Sequence, residues 1–221
     1  MKTQFLPGVL LALAVTVLAA PPCSAQRMGT VEFSPVVGAY VPHGSPVSES
    51  LGCLTIGDMS CRASRRQNIA IAVGGRATAW VNRWIALEGS VWYAASPVTA
   101  DTSTTRSGRF LLHQTYDAPA RVVAGNVRVL VSLVRGAGAW AYVVGGPAFV
   151  GRFGDAYAAE TGMTRVGGVV GVGAHLRLAR SVALRAEVED YLYSVQGYHQ
   201  QDFILSVGLS LASRIRSTAT P

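Results

Sequence analysis

Eight stretches of this chain alternate apolar and polar residues with a period of two, at about 30–41, 67–81, 84–96, 121–134, 139–151, 164–178, 182–195 and 200–212. A two-residue period places successive side chains on opposite faces of a strand, and none of these stretches sustains the 3.6-residue period of a helix. Each is long enough for a tilted strand to cross about 25 Å of hydrocarbon. Past residue 25 no run reaches about 18 uninterrupted apolar residues, which argues against helical membrane spans.

The connections sharpen the reading. Residues 42–66 and 97–120 are long, whereas Asn82-Arg83, Arg135-Gly136-Ala137-Gly138 and Ala179-Arg180-Ser181 are tight; 152–163 is intermediate, and Gln196 to His199 short and polar. Long links alternating with short ones mark an up-and-down barrel with outer loops at one end and turns at the other. Thr/Ser-rich residues 101–107 are expected to be a flexible loop tip.

Splitting the strands by parity separates two faces. Val170, Val172 and Leu176 oppose His175 and Arg177; Leu184, Val188 and Leu192 oppose Arg185, Glu187 and Glu189; Leu205, Val207 and Leu209 oppose Asp202, Ser206 and Ser210. The apolar faces are nearly free of charge, with Asp190 the exception near the outer rim. Trp140 and Tyr142 are expected as interface aromatics at the turn end, and Pro147 leaves the fifth strand's face unassigned. A soluble barrel would place the apolar face inward. Here the polar face is mostly Gly, Ala, Ser and Val, too weakly charged to serve as a wetted wall, and charged residues are 14% of the chain against about 25% in ordinary soluble domains. The expected fold is therefore all-β, an eight-stranded antiparallel up-and-down transmembrane β-barrel with its polar face inside.

That face carries Glu32, Arg76, Glu88, Arg128, Arg177, Arg185, Glu187 and Glu189, with His175 beside them. Four glutamates and four arginines in a barrel just wide enough to be filled by its own side chains predict interior ion pairs that close the lumen. The competing outcome is a small charged pore for ions or polar solutes.

The segments Arg83-Trp84-Ile85-Ala86-Leu87-Glu88-Gly89 and Val182-Ala183-Leu184-Arg185-Ala186-Glu187, set among eight alternating strands, resemble the small outer-membrane barrels typified by the OmpA transmembrane domain and its opacity- and adhesin-like relatives. The resemblance covers essentially all of 26–221 and implies an outer-membrane barrel with no peptidoglycan-binding domain appended. Such barrels often end on an aromatic read by the assembly machinery; Ser206-x-Gly208-x-x-Leu211 has leucine there, and Ser213 to Pro221 follow.

Residues 1–25 read as a signal peptide, with Lys2, an apolar run from Val9 to Ala20, and a small-x-small site at Cys23-Ser24-Ala25. Cleavage after Ala25 would leave Cys53 and Cys61, and an even count in an exported chain predicts a disulfide stapling the first outer loop. No histidine or second cysteine pair lies at metal-ligand spacing nearby. The mature chain holds 18 arginines against 12 acidic residues, a net +6. Export and the scatter of these arginines favour lipid phosphates over nucleic acid. Arg62, Arg65 and Arg66 in the first long connection, with Arg106 and Arg109 in the second, are candidates to bind lipopolysaccharide or an extracellular ligand. A monomer without cofactor or metal is expected.

A lipid A-modifying hydrolase would need a serine activated by a nearby histidine. His175 is followed by Leu176-Arg177, and His43, His113 and His199 lie in connections, so the expectation is a non-enzymatic barrel acting structurally or through its outer loops.

Overall fold

The computed structural model describes residues 30–43, 59–106, 109–136, 138–157, 163–195 and 198–214. The leader and Cys53 lie outside them. Eleven strands occur among the described residues: β1 (Thr30–His43), β2 (Met59–Gln67), β3 (Ala70–Trp80), β4 (Ile85–Ala94), β5 (Val98–Arg106), β6 (Arg109–Ala118), β7 (Arg121–Arg135), β8 (Ala139–Phe153), β9 (Met163–Arg177), β10 (Val182–Val195) and β11 (Tyr198–Arg214). Eight close into an antiparallel barrel in the order β1-β11-β10-β9-β8-β7-β4-β3, with β3 pairing back onto β1. Closure leaves no free edge in the wall, the condition for a sheet in hydrocarbon.

Local chemistry explains the boundaries. Val and Gly make up residues 166–173 of β9, and β-branched residues suit a pleated surface. At the β3–β4 turn the Asn82 side chain accepts hydrogen bonds from the backbone N–H of Trp84 (2.7 Å) and Ile85 (2.9 Å), an Asx turn that reverses the chain in four residues. Outward residues form an exposed apolar belt that includes Ile71, Leu87, Val129, Val166, Val188 and Leu205. From Val166 to Leu178 the belt runs twelve steps of about 3.3 Å, or about 30 Å at a strand tilt near 40°. That exposure would be untenable in water and matches a bilayer core.

The two long excursions contain strands as well as connections. β2, β5 and β6 form a three-stranded sheet in that order, beyond the barrel rim. Each runs directly into a wall strand: β2 into β3, β4 into β5, β6 into β7. Ala94 opposes Val122 and Val98 opposes Ala118, four residues on along one strand and four back along the other, so the two ladders share one register. Residues 85–131 are thus one long hairpin that leaves the barrel at 95–97 and 119–120. The expected flexible tip at 101–107 is corrected accordingly. Through Arg106 it is strand β5, because threonine is a strong strand former and two pairs pin it: Thr99 donates to Asp117 and Thr115 to Asp101, each at 2.6 Å.

Candidate functional site

Parity sends one set of side chains from every barrel strand inward, and at mid-height that set is charged. Arg76 on β3, Glu88 on β4, Arg128 on β7, and Arg185, Glu187 and Glu189 on β10 are all buried. Glu88 faces its cross-strand partners Thr78 and Arg128; it accepts from Thr78 Oγ1 and from Arg128 Nε at 3.0 Å. Arg185 reaches it from the opposite wall: Nη2 lies 2.9 Å from Glu88 Oε1, and Nη1 bonds Oε2. β10 and β4 stand four strands apart in a ring of eight, so this bridge spans the full diameter.

The rest of the layer completes the cross-links. Arg185 Nη2 also donates to Glu187 at 2.6 Å, and its Nε donates to the Tyr142 hydroxyl at 2.6 Å. Tyr142 in turn donates to Glu187 at 2.5 Å. Arg128 bonds Glu187 and lies 3.3 Å from Glu189; Arg76 bonds Glu189 and donates to Ser206 at 2.9 Å. Three arginines meet three glutamates, so the layer is neutral as a unit. Arg76 also sits over the Trp92 ring at 5.0 Å, and Arg185 over Tyr142 at 4.9 Å.

Aromatic and aliphatic layers flank this one. Toward the turns lie Trp80, Leu130, Trp140 and Val144; toward the outer mouth lie Tyr40, Trp92, Val122, Val150, Val169 and Ile204. Trp140 and Tyr142, expected at the lipid interface, are corrected to the lumen. Their parity is that of Arg152, which closes the strand at its outer end and faces inward, and Pro147 lies on the exposed face. Inward glycines make room for the large rings. A Cβ on Gly173 would come within 2.2 Å of the Tyr142 hydroxyl, and one on Gly74 within 2.7 Å of the Trp92 ring.

Two further polar clusters cap the ends. At the turn end Glu32 accepts from Trp80 Nε1 and from Ser210, both at 2.9 Å, with His175 Nε2 3.6 Å away and stacked on Trp140 at 3.9 Å between centroids. The carboxylate lies between the serine hydroxyl and the imidazole, so Ser210 donates to an acid rather than to a histidine base. That order does not generate an activated nucleophile. At the outer end Arg152 pairs with Asp202 at 2.7 Å, donates to Gln67 at 2.9 Å, bonds Tyr193, and reaches Tyr40 on the opposite wall at 3.3 Å. The sequence placed Asp202 on the polar face, but Arg152, Gln67, Tyr40 and Tyr193 were missed because Arg152 and Gln67 stand at strand ends; their parity with neighbouring inward residues was the available signal.

Of the eight lumen candidates, the structure brings six into the central layer and places Glu32 in the turn-end cluster. Arg177, half-buried at the end of β9, makes no ion pair among the described residues. The five outer arginines fall on the three-stranded sheet. Arg62, Arg65 and Arg66 lie on β2 opposite Ser103, Ala100 and Thr99, and Arg106 opposes Arg109 across the β5–β6 ladder. Arg65 and Arg66 fall on opposite faces of the sheet by parity, Arg65 half-buried and Arg66 exposed. Asp190 points outward with Phe203 and Val170 as its cross-strand partners.

No protein-family model and no curated protein sequence matches the chain. Solved structures do. The outer membrane protein OprG from Pseudomonas aeruginosa superposes with a TM-score of 0.56 at 10% identity, over 87% of this chain and 100% of that one. Neisserial surface protein A gives 0.54 at 10% identity, over 85% and 98%. The N-terminal β-barrel domain of OprF from Pseudomonas aeruginosa gives 0.52 at 12% identity, over 85% and 100%. Identities this low speak for the fold alone: the chain has the closed eight-stranded architecture of small outer-membrane barrels.

Proposed function

We propose that the protein is an outer-membrane barrel with a closed lumen that acts through the surface it raises above the membrane, in a structural or recognition role. The Arg185–Glu88 bridge carries this reading. It spans the barrel's diameter inside a neutral layer flanked by rings on both sides, and an ion crossing it would have to separate buried, paired charges. The exposed apolar belt and the likeness to solved outer-membrane barrels support the location.

Function is thereby assigned to the outer sheet. Arg62, Arg65, Arg66, Arg106 and Arg109 lie on β2, β5 and β6, strands that stand clear of the belt, where guanidinium groups can pair bidentately with lipopolysaccharide phosphates or an acidic extracellular ligand. The proposal includes export by removal of residues 1–25, a Cys53–Cys61 disulfide stapling the first outer loop, and a monomeric barrel. A non-reducing mass measurement two hydrogens below the dithiol value would establish the disulfide.

Purified mature protein in a planar bilayer is the direct test. The expected record is a flat baseline. Stable channels of reproducible conductance would overturn the closed-lumen reading and leave a pore in its place.

A further inference from the structure

Where the long hairpin leaves the barrel wall, its outer side holds a cavity of about 580 Å³ that includes Pro97, Asp117, Pro119, Arg121, Gly154 and Asp155 in its lining. Two prolines stiffen the hairpin side. Gly154, at φ +114°, turns the chain after β8 beneath the Pro119 carbonyl, which Ala156 N–H meets at 3.3 Å. The cavity is therefore held by backbone.

Its depth is set by the belt. Arg121 opposes Phe153 across the β7–β8 ladder, and one pair below lies Val123 against Tyr93; Tyr93 and Phe153 are both exposed aromatics. The cavity opens directly above them, at the height where acyl chains give way to headgroups. Arg121 is exposed and makes no ion pair among the described residues. Asp155 is likewise exposed, and Asp117 uses one oxygen to accept from Thr99.

The geometry points to a docking site for the phosphorylated sugar headgroup of an outer-leaflet glycolipid. Arg121 takes the phosphate, and the two carboxylates take hydroxyl donors from the same sugar. A bare phosphate would be repelled by Asp117 and Asp155, so the ligand must carry donors beside its anionic group; a trimethylammonium headgroup supplies no such donor. This inference rests on the outer-membrane reading and adds a site separate from the arginines of the outer sheet.

Native mass spectrometry of the folded protein in detergent tests it, with lipid A, phosphatidylethanolamine and phosphatidylcholine offered at equal concentration. Lipid A adducts should exceed the other two, and Arg121→Gln should lower them about fivefold, the worth of one exposed charge-assisted contact. Arg180→Gln, an exposed arginine in the β9–β10 turn at the opposite end of the barrel, should leave them unchanged. Equal adducts in wild type and Arg121→Gln overturn the site, and phosphatidylethanolamine binding as well as lipid A overturns the sugar assignment. Heat-dependent gel migration, measured on the same samples, shows that each variant is a folded barrel. If wild type lacks that shift, the membrane-barrel reading fails and the site falls with it.

Discussion

Replacing Glu88 by glutamine tests whether the lumen is held shut as a unit. The change is nearly isosteric, so it leaves no cavity. Glu88 accepts from both terminal nitrogens of Arg185, from Nε and Nη2 of Arg128, and from Thr78. Glutamine turns one acceptor oxygen into an NH₂ aimed among donors, and it leaves three buried arginines facing two glutamates. Breaking a buried pair from one side costs about 3–5 kcal/mol, since the surviving charge stays desolvated. Arg185→Met should cost a similar amount with the opposite residual sign. The double variant restores neutrality, with Arg76 and Arg128 against Glu187 and Glu189. Its loss should fall short of the sum of the singles by about 2 kcal/mol or more. Urea titration in detergent or vesicles, read by tryptophan fluorescence, measures all three, because Trp80, Trp92 and Trp140 are buried in the lumen. A single loss below about 1 kcal/mol, or additivity within about 0.5 kcal/mol, would refute the cross-linked layer.

Gly173→Ala should destabilise the barrel by about 1–3 kcal/mol in the same titration, since the new Cβ would meet the Tyr142 hydroxyl at 2.2 Å; Gly168→Ala, whose Cβ would find only Gly146 O at 3.7 Å, should be nearly neutral. Joining Val98 to Ala118 through Asn-Gly in place of 99–117 should leave a barrel that still migrates heat-dependently on a gel, because those two residues are already register partners. Loss of the folded band would mean that the outer sheet is part of the barrel's fold.

The wall was legible in the sequence because a membrane barrel writes its inside and outside in alternate letters. Each of the eight segments falls on a barrel strand, and Val170, Val172 and Leu176 of β9, Leu184, Val188 and Leu192 of β10, and Leu205, Val207 and Leu209 of β11 lie on the exposed face. The same rule was missed where the alternation is masked. In β8 both faces hold large apolar residues, so Trp140 and Tyr142 could be read either way until Arg152 was recognised as strand. In β5 the run Thr102-Ser103-Thr104-Thr105 resembles polar linker by composition, although threonine's branched Cβ suits a strand. Pairing partners were illegible for a different reason: parity names a face and is silent on height. Arg177 and Arg185 share a face by parity, yet one stands at the turns and the other at mid-barrel.

Such a barrel inverts the usual source of a core. Its exterior apolar residues gain nothing from turning inward, because hydrocarbon solvates them as well as another side chain would. The lumen must then be filled by groups that the bilayer rejects, and charges do so only if each finds partners at fixed positions. This accounts for the use of arginine, whose fork bonds several acceptors at once, against glutamates on opposite walls. It also accounts for the glycines at Gly74 and Gly173, which yield space to Trp92 and Tyr142, large rings packed beside the ionic layer. A layer built this way pairs three arginines with three glutamates and carries no net charge. Among the described side chains of the outer end, Arg66 on the sheet and Arg121 at the rim are exposed arginines, and there the chain can meet lipid or ligand without unmaking its own interior.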